Sequence, residues 1–105
     1  MSEPPFTVVV DAENVRRSTW PNVSRERLVE LVDRWAVGRD CDVLVVFEGE
    51  SETADDRIAR EVEGLGRYWL VTSDRELRRR AGGRAERVIG GGAFVRELQS
   101  LNASY

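Results

Sequence analysis

The 105-residue chain contains no histidine and no lysine, so all sixteen of its basic residues are arginine. The absence of histidine excludes imidazole-ligated metals, Ser-His-Asp triads and histidine acid/base chemistry. The absence of lysine excludes phosphotransfer sites that pair a strand-end acid with a late lysine. One cysteine, Cys41, allows neither an internal disulfide framework nor a cysteine-rich zinc site. Any metal must therefore be held by oxygen, which points to Mg²⁺ or Mn²⁺. Long hydrophobic runs are missing too: none approaches the roughly 20 residues of a membrane span. The start, "MSEPPFTVVVDAEN", lacks a basic segment followed by a long apolar stretch, so no signal peptide and no membrane partner are expected, and a cytoplasmic location is.

The chain does carry enough apolar material for a core. It is 41% hydrophobic, and its length suits a single domain spanning 1–105, with a frayed start over 1–5. The net charge is −3, unlike a strongly basic nucleic-acid binder. The distribution is more informative, because 40–63 is acidic whereas "RELRRRAGGRAER" at 75–87 is basic. An acidic metal-binding centre beside a basic, phosphate-meeting surface has this asymmetry, and so does a solvated helix.

Four times an apolar, strand-like run precedes a helical pattern. The first strand is expected over 6–10, buried on both faces. A loop with Pro21 and Asn22 leads to Ser24, an expected N-cap. Leu28, Leu31, Val32, Trp35 and Ala36 then mark one helical face, which Gly38 ends. The second strand is expected over 42–49, followed by a helix opened by Thr53 with Asp56 as capping-box partner. Ile58, Ala59 and Val62 continue that helix to Gly64 and Gly66. A third strand over 67–72, a helix over 74–80, a short strand over 86–89 and a final helix over 93–101 complete the pattern. Such alternation predicts an α/β fold: a three-layer α/β/α sandwich around a parallel, Rossmann-like sheet of about four strands. Right-handed crossovers bring all the strand ends to one rim.

That rim collects acids. Asp11 follows the first strand, Glu48 the second and Asp74 the third, while Asp55 opens the helix after the second strand. In open parallel sheets ligands bind beyond these strand ends. Clustered carboxylates repel unless protonated or bridged by a cation, and two-metal sites of this type serve phosphodiester cleavage. Each acid also has a structural reading. Asp74 could cap its helix, as could Ser73 with Glu76, and Glu48 could be a solvated strand-end residue. Asn14 could orient Asp11 or make a turn. Gly90–Gly92 reads as a tight turn or a phosphate cradle. Asp11 has no evident capping task.

The order "VVVDAEN", "VVFEG", "SETADDRIARE", "LVTSDRELR", "RVIGGGAFVREL" resembles the NYN domains of the YacP-like group, in the PIN-like ribonuclease superfamily, across about residues 7–101. The resemblance implies a PIN-like fold and a metal-dependent endoribonuclease. By position it implies Asp11, Asp55 and Asp74 as catalytic and metal-holding residues, with Asn14 in support and Glu48 where relatives often carry Asp. One departure stands out: only "GESE" separates Glu48 from Thr53, where the family usually has a further strand. A minimal four-stranded version is expected, with a free sheet edge available for a homodimer.

The leading expectation is thus hydrolysis of RNA with Mg²⁺ or Mn²⁺ held by Asp11, Asp55, Asp74 and Glu48, supported by Asn14, Asp56 and Ser73. Arg16, Arg17, Arg75, Arg78 and Arg79 are candidates for the RNA backbone, and Trp20 for base stacking or a structural role. The alternative is a non-catalytic RNA- or ribosome-binding module with a vestigial acidic site.

Overall fold

The computed structural model describes residues 6–103; the expected frayed start at 1–5 lies outside the described residues. In chain order the elements are β1 (Phe6–Asp11), α1 (Ala12–Arg17), α2 (Arg25–Ala36), β2 (Cys41–Val46), α3 (Ala54–Glu63), β3 (Tyr68–Val71), α4 (Arg75–Ala81), β4 (Arg87–Ile89) and α5 (Gly91–Ala103). The four strands form one sheet in the order β2-β1-β3-β4, and every pairing is parallel.

Two separate sets of side chains cover the sheet. On one face Val8, Val10 and Val71 meet Val15 of α1, Leu28, Val32 and Trp35 of α2, and Phe94 of α5. On the other, Val9, Val46 and Leu70 meet Ile58 and Val62 of α3 and Leu77 of α4. The alternation of Val8, Val9 and Val10 between the two sets explains why β1 reads as a continuous apolar run: it is buried from both sides. Trp35 is 1% exposed, meets Phe94 edge-on at 5.1 Å, and donates its indole N–H to Glu97 Oε2 at 2.9 Å. The polar end of this large ring is thereby satisfied inside the core. The expected three-layer sandwich is what the chain forms.

Boundaries differ in instructive ways. The segment after Asp11 is not all loop: α1 occupies Ala12–Arg17. Six residues with only Ala12 and Val15 facing inward are too short to show a helical period. The second strand stops at Val46, so Glu48 stands beyond it in a connecting segment. The final helix starts at Gly91, two residues earlier than expected. Gly91 and Gly92 are therefore helical, and the expected tight turn from strand to helix is made by Gly90 alone. Its purpose is close approach. A Cβ on Gly91 would stand 2.6 Å from Asn14 Oδ1 and 2.9 Å from Ser18 Oγ, so α5 can meet α1 only through a glycine.

β1 lies between β2 and β3. The chain leaves β1 to one side, returns, and continues on the other side, so a crevice opens beyond the C-terminal ends of β1 and β3. Asp11 ends β1, and Thr72–Asp74 follows β3, on the two sides of that crevice.

Candidate active site

Asp11 is carried by the end of β1, and its carboxylate is held from β3's side of the crevice. It occupies the N-cap position of α1, yet its side chain makes no capping bond there. It is 6% exposed, and its Oδ2 accepts the Thr72 hydroxyl at 2.8 Å. The same hydroxyl oxygen accepts the backbone N–H of Asp74 at 3.1 Å. Asp74 in turn is the cap of α4, with Oδ1 accepting from Leu77 N at 3.0 Å. Thr72 is thus the link between two acids. Strand alternation in "VTSD" put its side chain inward, but its partner was visible only once β1 and β3 were neighbours.

The neighbouring sequence candidates take other roles than expected. Asn14 does not orient Asp11; its Oδ1 accepts the backbone N–H of Ser73 at 2.9 Å. Ser73 does not cap α4; its Oγ accepts the N–H of Gly91 at 2.8 Å. Asn14 and Ser73 therefore stitch together the segments that follow β1, β3 and β4. Thr53 caps α3 by accepting from Asp56 N at 3.1 Å, as expected, while the Asp56 carboxylate faces Arg80 NH2 at 3.0 Å.

A cleft of about 370 Å³ lies over this rim, with Asp11, Glu48, Asp55, Asp56 and Asp74 in its walls beside Asn14, Arg17, Glu13, Thr53 and Arg80. All four acids expected to share a site do share one cleft. Among the described residues, however, no group of three or more Asp, Glu, Cys or His side chains stands close enough to hold a metal ion. The acids feel one another nevertheless. Desolvation raises the Asp11 carboxyl above its ordinary 3.8, opposed by the Thr72 hydrogen bond and reinforced by the charges of Asp55 and Asp74. Asp55 is raised as well, first by desolvation and then by Asp74 and Glu48, with Arg80 opposing. An all-oxygen donor set in which neighbouring carboxylates add to the raised pKa of Asp11 and of Asp55 is chemically matched to a hard dication, which removes the repulsion.

The arginines divide sharply. Arg16 is engaged within the protein, donating to Glu13 and, through Nε, to Val23 O at 2.7 Å. Arg78 donates Nε to Thr72 O at 2.9 Å and so braces the rim. Arg79 pairs with Glu76 at 2.6 Å. These three each have a partner within the protein. Arg17 and Arg75 are exposed, and Arg17 lines the cleft. Arg80 lines it too and was not singled out from the sequence; the inward spacing of Leu77 and Ala81 around it on α4 was the available signal. Trp20 is 94% exposed on the loop between α1 and α2, beside an apolar groove and outside the lining of the acidic cleft. A larger depression of about 590 Å³ lies between α3 and α4, where Glu63 is the single acid and Arg84 stacks over Tyr68. It has no comparable gathering of acids.

No protein-family model and no curated protein matches the sequence. A solved structure does match: that of Rae1 (YacP) from Bacillus subtilis, with a TM-score of 0.77, 19% identity, and coverage of 94% of this chain and 78% of that one. The fold is YacP-like. At this identity the likeness carries the parallel α/β sandwich and not the chemistry. Among the described residues no helix is long and apolar enough to cross a membrane.

Proposed function

We propose that this protein is a metal-dependent endoribonuclease of the NYN type within the YacP-like group. The observation that carries the reading is the meeting of Asp11, Glu48, Asp55 and Asp74 in one cleft at the switch point of a parallel sheet. The motif order in the sequence and the likeness to the YacP fold support it.

In this reading Mg²⁺ or Mn²⁺, held by Asp11, Asp55 and Asp74 with Glu48, supplies Lewis-acid activation of water and neutralises charge at the phosphate. The protein's own part is placement. Thr72 fixes Asp11 in one orientation, and the cap bond to Leu77 fixes Asp74, engaging Oδ1. Asp55 projects from the first turn of α3, whose N-terminal dipole offsets part of its charge. Incubation with single-stranded RNA and Mn²⁺, followed by product sizing, tests the reading. Internal cleavage that chelator abolishes is expected; intact RNA with the metal demonstrably bound would defeat it.

One observation favours a second reading, a non-catalytic RNA- or ribosome-binding module: the carboxylates do not stand at metal-holding separations. That module would bind RNA equally well with and without Mn²⁺ and would cleave nothing.

A further inference from the structure

The acidic cleft poses an electrostatic problem. Its walls carry six carboxylates, yet the strand it would receive in the proposed reaction is a polyanion. A cation at the floor does not bring the rest of the backbone into place; positive groups at the mouth must do so. Two cationic side chains line the cleft, Arg17 and Arg80. They come from opposite layers. Arg17 closes α1, on the face shared with α2 and α5, whereas Arg80 belongs to α4, which packs with α3 on the other face. The crevice between β1 and β3 runs between them.

Their bonding differs from that of their neighbours. Arg16 and Arg79 each reach both oxygens of a carboxylate, and Arg78, held through Nε by the Thr72 carbonyl, stands outside the cleft lining. Arg17 has no hydrogen bond or ion pair among the described residues. Arg80 is held at one point, NH2 to Asp56 Oδ1 at 3.0 Å, with both side chains partly exposed. A guanidinium has five donors in a planar fork suited to two phosphate oxygens at once. The ion pair to Asp56 and the charge of Asp55 keep the fork at the cleft, and neither is a bidentate bond.

We propose that Arg17 and Arg80 form a two-sided clamp on the phosphodiester backbone of single-stranded RNA, with Asp56 a positioning residue that holds the Arg80 fork at the cleft. The clamp rests on reading the cleft as an RNA site, but it does not require cleavage. Its strength comes from charge and geometry, so it operates without metal. Asp56 separates positioning from charge. Removing a carboxylate beside a polyanion strengthens binding if only charge counts, whereas releasing the Arg80 fork weakens it.

The test is binding of a fluorescein-labelled single-stranded RNA in chelator, across a salt series, by the folded full chain. Arg17→Ala and Arg80→Ala should each weaken binding roughly five- to tenfold and lower the salt slope by about 0.7, one phosphate contact on a single strand. Arg34→Ala removes the same charge outside the cleft and should change neither quantity. Arg80→Lys, which keeps the charge but not the fork, should keep the slope and lose part of the affinity. Asp56→Asn should weaken binding, and it should add nothing in the Arg80→Ala background. Wild-type affinity and slope in folded Arg80→Ala and Arg80→Lys overturn the clamp, and tighter binding by Asp56→Asn overturns the positioning role. If the wild type binds but never cleaves while Arg80→Ala loses binding, the clamp stands and the nuclease reading falls. If the wild type cleaves and Arg80→Ala binds unchanged, the clamp alone falls. RNA that does not bind at all overturns both.

Discussion

The Thr72 hydroxyl donates to Asp11 and accepts from the backbone of Asp74, joining two acids of one cleft through a single buried oxygen. Thr72→Val keeps the shape of the side chain and removes both bonds. The Asp11 carboxylate, 6% exposed, is then left without that donor. A loss of about 1–3 kcal/mol is expected, measured by urea unfolding at pH 7. Losing the hydrogen bond that lowers it, the Asp11 pKa should also rise further. Thr72→Ser should behave nearly as wild type.

A second expectation concerns pH. Asp55 has a folded-state pKa above its ordinary 3.8, raised by desolvation and by Asp74 and Glu48. For an acid, a raised pKa means that folding disfavours the ionised form. The cost is fully present above the folded pKa and vanishes below 3.8. Asp55→Asn should therefore unfold at a higher temperature than wild type at pH 7. The advantage should shrink as pH falls through the raised pKa and disappear below 3.8. An advantage independent of pH would mean that charge is not its source.

Asp74→Asn separates cap from ligand. Asn caps helices about as well as Asp, so α4 should persist and the metal-free unfolding midpoint should move little. In the wild type, Mn²⁺ that binds the folded cleft should raise the midpoint by mass action, about 2.7 kcal/mol at a hundredfold excess over Kd. In Asp74→Asn most of that rise, and RNA cleavage with it, should be lost. Thermal scans with and without Mn²⁺ check this. An equal rise in both proteins would remove Asp74 from the metal site.

Gly91→Ala tests the contact between α1 and α5. Ala is the better helix former by about 1 kcal/mol, so an open site would gain stability. Here the added Cβ would stand 2.6 Å from Asn14 Oδ1, and one of the two must move. A net loss of about 1–3 kcal/mol is expected. Restoration of stability by Asn14→Ala in the same chain would identify Asn14 as the obstructed group.

The layers of this fold were legible because apolar runs and helical periods are local, and because βαβ handedness leaves few topologies. The acids were legible for the same reason: Asp11 and Asp74 sit at strand ends by position alone. The missed features depend on contacts between distant segments. α1 shows too few residues for a period. Asn14 finds Ser73 instead of Asp11 because β3, and not β2, flanks the crevice side of β1. Arg78 Nε reaches the carbonyl of Thr72, a contact that no local pattern shows. Arg80 looked like one more helix charge until α3 and α4 were brought together. Glycines 90–92 read as a tight turn or a phosphate cradle, and the steric room at α1 that requires Gly91 left no mark in the sequence.

The bonds from Asn14 to Ser73 and from Ser73 to Gly91 run in series across three strand exits. No side-chain hydrogen bond extends that series to the segment between β2 and α3, among the described residues. The start of α3 is tied across the mouth of the cleft by the Asp56–Arg80 ion pair instead. Glu48 and Asp55 stand on the side that the series does not reach, while Asp11 and Asp74 stand on the side it joins. Tightening onto a small ion should draw the β2–α3 side inward and leave the other exits where they are. The chain should accordingly accept added residues at 49–52 far more readily than at 72–74, where a single insertion would break the whole series.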